Sequence, residues 1–181
     1  MLAPTPARGE SDRHVDLELR AGAGTVCGTC RDRDLTPFVV KGTVQLFADA
    51  LFPIRQLGPG SLEAGPYVKS ALLDGAEVAQ IAGGLLLGYR VGRWEILGNA
   101  AFAYATERVG VDRPPYVRLE QTKHTYDLGL MVRYDINRYF ISAGYTHNSN
   151  GSGIGLNYAE GTGQNPGYDQ IFLGIGIRLD P

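Results

Sequence analysis

The feature that most constrains this chain is a two-residue alternation of apolar and non-apolar side chains that recurs along its length. In residues 15–25 the apolar set is Val15, Leu17, Leu19, Ala21 and Ala23, with Asp16, Glu18 and Arg20 between them. Residues 38–48 place Phe38, Val40, Val44 and Leu46 opposite Lys41, Thr43 and Gln45. The same rhythm runs through Trp94, Ile96, Ala100, Phe102 and Tyr104, and through Tyr126, Leu128, Leu130, Val132 and Tyr134. It returns in Tyr139, Ile141, Ala143 and Tyr145, and last in Ile171, Leu173, Ile175, Ile177 and Leu179. Period-two alternation is the mark of a β-strand whose two faces meet unlike surroundings.

Two middle segments are less regular. Residues 62–73 contain Pro66 and Lys69, and residues 77–91 are apolar on both parities. A helix over 72–81 competes here, but Gly83-Gly84 and the flanking β-like segments favour strands. The expectation is eight strands of roughly 10–14 residues, longer than the ~5–6 of soluble sheets. Residues 91–93 and 135–138 read as tight turns, whereas 108–121 and 148–167 read as long polar loops. Short turns at one rim and long loops at the other are the layout of an eight-stranded antiparallel transmembrane β-barrel, both termini on the short-turn, periplasmic side. Residues 49–61, read as a connection, are long for such a turn.

Which face is apolar inside the protein decides between two architectures. A small soluble barrel, lipocalin-like with a ligand cavity, keeps its apolar face inside. A membrane barrel turns that face to lipid and fills its lumen with charged and small residues. Here the non-apolar parity carries Asp16, Glu18, Arg20, Lys41, Gln45, Glu95, Asn99, Asp127, Arg133 and Arg178, interspersed with Gly129, Gly144, Gly174 and Gly176. Charges of both signs can pair in a narrow lumen, and glycines leave room there. Trp94, Tyr104, Tyr126, Tyr134, Tyr139 and Tyr145 fall near strand ends on the apolar face, as interfacial girdles do. The membrane barrel is the favoured reading, in a bacterial outer membrane.

Composition bounds the rest. At 181 residues the chain suits one domain, a flexible lead-in over 1–14 and a barrel over 15–181. With 17 Lys+Arg against 19 Asp+Glu and no basic block, nothing supports nucleic-acid binding. The longest mainly apolar stretch, 81–89, is far short of the ~20 residues of a membrane-spanning helix. The first fourteen residues lack the apolar core of a secretion signal, so the chain is either not exported or begins at a processed end. His14 and His124 read as solvated.

Cys27 and Cys30 form a Cys-Gly-Thr-Cys segment. Two ligands fall short of the four a structural zinc wants, and no helix follows as a redox motif needs. A local disulfide in an outer loop, free thiols, or a metal or redox role remain the options. No cofactor or metal is expected. Lys69, Lys123, Arg108, Arg113 and Arg118 are candidates for meeting phosphates of a lipopolysaccharide, and the long loops for gripping protein partners.

One constellation carries chemistry. Extending the apolar parity of 139–145 reaches His147 and then Ser149, and extending that of 171–179 backwards reaches Asp169. Three polar residues therefore share the face that otherwise meets lipid, at the long-loop end of neighbouring antiparallel strands. Residues two apart on a strand have Cα atoms about 6.6 Å apart, within reach for an imidazole leaning on a hydroxyl. A Ser-His-acid triad needs these roles in no fixed order: Ser149 as nucleophile, His147 as base, Asp169 fixing the tautomer. Asn150, or the backbone N–H groups of Asn150 and Gly151, are placed to stabilise an oxyanion.

The segment His147-Asn-Ser149-Asn150-Gly151, a long loop, then Asn165-Pro-Gly-Tyr-Asp169 before a final strand, resembles the lipid A 3-O-deacylase (PagL-like) family. The resemblance covers 147–179 and is architectural elsewhere. It implies an outer-membrane barrel whose site faces the bilayer, with His147 as base, Ser149 as nucleophile and Asn150 at the oxyanion. The implied reaction is hydrolysis of an ester-linked acyl chain of lipid A. The family's acid is usually Glu; the matching position is Asp169, and Glu160 in the loop is the alternative acid.

Overall fold

The structure is a computed structural model that describes residues 14–27, 41–73, 78–106, 110–113, 117–120, 123–149 and 167–179. Among them every regular element is a strand: β1 (His14–Cys27), β2 (Lys41–Leu57), β3 (Gly60–Leu73), β4 (Val78–Val91), β5 (Trp94–Ala105), β6 (Gly110–Arg113), β7 (Val117–Glu120), β8 (His124–Ile136), β9 (Tyr139–Ser149) and β10 (Gly167–Leu179). Eight of them close an antiparallel barrel in the order β1-β10-β9-β8-β5-β4-β3-β2, while β6 and β7 pair as a separate hairpin within the connection expected to be loop. The register followed once round the wall from Gln56 passes Ser61, Arg90, Glu95, Arg133, Ser142, Gly174 and Arg20 and returns to β2 at Gln45. That stagger is what tilted strands need to close. The helical alternative over 72–81 is replaced by the ends of β3 and β4, paired from Leu73↔Val78 onward.

Orientation follows the alternation. Leu128, Ile141 and Ile175 are 43%, 49% and 65% exposed on the outer wall, whereas Asp16, Arg20, Glu95, Asp127 and Arg133 are buried inside it. The soluble reading requires the reverse and is overturned. In lipid every backbone group must be satisfied by the wall itself, which a closed antiparallel cylinder does. Trp94 packs on Tyr134 (ring centroids 4.7 Å) at the short-turn end, and Phe102 on Tyr126 (5.2 Å) nearer the other.

The lumen is a packed network. Arg133 is its hub, donating to Asp16 (3.1 Å), Glu18 (3.2 Å) and Asp49. Arg20 donates twice to Glu18 (2.7 and 2.9 Å), with its guanidinium over the Phe47 ring at 3.6 Å and Phe172 at 4.4 Å. Arg178 binds Asp16 (3.0 Å) and Asp135 (2.7 Å). Burying such charges is tolerable only because each meets an opposite one with directed hydrogen bonds. Gly174 lies beneath Glu18 and Ser142, and Gly176 beneath the Phe140 ring, where a Cβ would collide.

Three expectations are corrected. Residues 49–61 are not a connection: β2 continues to Leu57 and turns through Gly58-Pro59, with Gly58 at φ 60°. The alternation fades there because the register shifts between Pro53 and Arg55 and residues 52–59 are exposed on both parities. His14 is no lead-in residue; it opens β1 and is buried, its Nε2 3.1 Å from Arg90 Nη2. Lys69 is not available to phosphates, for it is buried in the lumen against Asp127 at 2.7 Å.

Candidate functional site

β9 leaves the Asn137-Arg138 turn with Tyr139, Ile141, Ala143 and Tyr145 outward, and the same parity carries His147 and Ser149 to its outer end. β10 runs alongside, pairing Asp169 with His147 and Ile171 with Tyr145. Two residues far apart in sequence thus become directly opposed neighbours, as cross-strand pairs are. The side chains complete the contact: His147 Nδ1 lies 2.7 Å from Asp169 Oδ1. The imidazole is 36% exposed and the carboxylate 25%, so both are reachable from the bilayer side without being fully in water.

Ser149 stands two residues beyond His147 on the same face, opposite Tyr126 of β8, with Leu128 opposite His147. The parity argument therefore brings His147, Ser149 and Asp169 to one patch of outer wall. Asn150, Gly151, Glu160 and Cys30 lie outside the described residues. Cys27 ends β1 opposite Gly167.

Sequence reasoning missed one member. Tyr145, read as a girdle residue, donates its hydroxyl to the same Asp169 Oδ1 that His147 engages. The available signal was its parity: Tyr145, His147 and Ser149 are successive outward positions of one strand.

The wall behind the site is tied across the lumen. Asn148, inward between His147 and Ser149, accepts a hydrogen bond from Gln80 of β4 at 3.2 Å. His14, Glu63 and Glu95 form a cluster with metal-like spacing, their ligand atoms within 4.8 Å of one another. Arg90 sits in that cluster, donating to Glu63 (3.1 Å) and Glu95 (2.9 Å) and lying against His14, so a guanidinium already supplies the cation.

The inside-out cylinder, its charged lumen and its apolar band define a transmembrane β-barrel of the bacterial outer-membrane type. No protein-family model matches the chain, and no curated protein matches it. Among solved structures it is similar to Ail, the attachment invasion locus protein of Yersinia pestis, crystallised with the heparin analogue sucrose octasulfate. That likeness has a TM-score of 0.51 at 8% identity, over 93% of this chain and 100% of that one. Neisserial surface protein A (NspA) is similar at a TM-score of 0.50 and 11% identity, over 95% of this chain and 100% of that one. At such identities the likeness is one of fold.

Proposed function

We propose that the protein is a serine-type ester hydrolase that removes an ester-linked acyl chain from a lipid in the outer leaflet, as the resemblance to lipid A 3-O-deacylases implies. One observation carries the reading: an imidazole–carboxylate pair, bonded at 2.7 Å, on an outward face where Leu128, Ile141, Ile171 and Leu173 are exposed. Ionisable groups at a lipid face are costly to keep and mark function.

With the Nδ1 proton held by Asp169, Nε2 of His147 is left to accept the Ser149 proton. The Ser149 oxygen then adds to the ester carbonyl, and the tetrahedral intermediate collapses as the protonated imidazole gives its proton to the departing alcohol. Water, deprotonated by the same nitrogen, then adds to the acyl carbonyl, and the imidazolium returns that proton to the Ser149 oxygen as the fatty acid departs. Asn150 and Gly151 remain the expected oxyanion donors. Placing these groups on the outer wall brings the nucleophile to an ester embedded in the bilayer, without extraction of the lipid. Lipid A or a lipopolysaccharide is the substrate this reading names; no cofactor enters it.

The test is mass spectrometry of lipid A incubated with the purified barrel. The parent releases one acyl chain, and Ser149→Ala and His147→Ala release none while remaining folded; equal release by both variants overturns the assignment.

A second reading has its own support. Tyr145, His147 and Asp169 satisfy one another, as a polar knot in the interfacial girdle of a non-catalytic barrel would. Such a barrel presents its loops to partners, and ester turnover by the parent excludes it.

A further inference from the structure

Asp169 Oδ1 receives two donors from one neighbouring strand: the His147 ring directly opposite and the Tyr145 hydroxyl one outward position below. The arrangement is unlike that of an ordinary girdle tyrosine, whose polar tip reaches for water or headgroups. This phenol is spent sideways along the wall, on a carboxylate. An aspartate at a half-exposed rim has two side-chain torsions to fix, and one partner does not fix both. A second donor on the same oxygen restrains that oxygen further, and through it the His147 ring that it meets.

We propose that Tyr145 is a positioning residue, and that the working unit is a chain of four groups, Tyr145–Asp169–His147–Ser149. The proposal rests on the esterase reading above and adds to it the group that holds the acid. In this reading Tyr145 acts through Asp169, the carboxylate its hydroxyl engages. Removing its hydroxyl leaves the ring, and so the apolar packing against Leu130 and Ile171, the residues opposite it on β8 and β10.

The test compares the parent with Tyr145→Phe in detergent micelles, after folding is checked by heat-dependent migration on gels. Three readouts are taken: hydrolysis of p-nitrophenyl dodecanoate, the rate at which a fluorophosphonate probe labels Ser149, and the downfield proton resonance of His147 Nδ1–H. Tyr145→Phe is expected to lower kcat by about tenfold, the scale of one hydrogen bond to a charged group, with KM within about twofold. Labelling falls in parallel, and the Nδ1 proton resonance moves or broadens. Tyr139→Phe, a girdle tyrosine at the opposite rim, changes none of the three. A Tyr145→Phe variant equal to the parent in rate, labelling and resonance overturns the role of Tyr145 alone. A parent that neither labels nor hydrolyses overturns the esterase reading and this role with it.

Discussion

Lys69 on β3 and Asp127 on β8 meet across the lumen at 2.7 Å, both side chains wholly inaccessible to solvent. The carboxylate also accepts from Tyr67 (3.1 Å), whose hydroxyl takes a bond from Asn99 (2.7 Å). A pair so placed stabilises little relative to a well-packed apolar replacement, yet loss of one partner strands a charge. Lys69→Met should cost about 3–5 kcal/mol, and Lys69→Met with Asp127→Leu should recover most of it. Urea unfolding in lipid vesicles measures both; a double variant as weak as the single one contradicts the account.

The outward wall makes a separate prediction. Ile175 lies mid-strand on β10 and is 65% exposed. In a bilayer Ile175→Arg should cost about 2–4 kcal/mol, as arginine does on the lipid face of a barrel, whereas Ile175→Val should be nearly silent. Equal stability of the two would mean that the wall at 175 does not face hydrocarbon.

What the sequence made legible follows from which information is local. Alternation is local, so the eight strands of the cylinder and the sign of each face could be read from sets such as Leu17/Leu19 against Glu18/Arg20. The shared face of the candidate residues was legible for the same reason, since His147, Ser149 and Asp169 each continue a parity set by their own strand. Register is not local. Nothing in one strand shows that Tyr145 reaches Asp169, that Lys69 finds Asp127, or that His14 lies beside Arg90. The alternation through β2 is lost for a further reason: the register shift between Pro53 and Arg55 resets the parity, and an exposed hairpin has no second environment to alternate against.

Glycine in the lumen is a matter of space. A Cβ on Gly174 would strike Glu18 Oε1 and the Ser142 hydroxyl, two groups tied into the Arg20–Arg133 network. Gly174→Val should therefore abolish the folded, heat-modifiable band or cost at least the 1–3 kcal/mol of an overpacked core. Gly98 supplies the control, for its nearest atoms would stand 3.9 Å from a new Cβ. Gly98→Ala should stay within about 0.5 kcal/mol of the parent or exceed it, because alanine gives up less chain entropy on folding.

The proposed reaction carries the last prediction. Asp169 meets His147 directly in the β9–β10 register and bonds the ring at 2.7 Å, so Asp169→Asn keeps the shape of the site but loses the charge that favours Nδ1–H. If Asp169 is the acid, the substitution should lower kcat by 10²–10⁴-fold, the range for a misoriented base, and leave KM little changed. If Glu160 is the acid, Glu160→Gln should show that loss and Asp169→Asn should be mild. The same mechanism requires a neutral imidazole to take the serine proton, so acyl release must fall as the medium is acidified and His147 becomes charged. Ser149 labelling by a fluorophosphonate should fall along the same curve, since both measure one deprotonation. A labelling rate that is flat with pH while acyl release declines would separate the hydroxyl from the imidazole, and would remove His147 from the role of base.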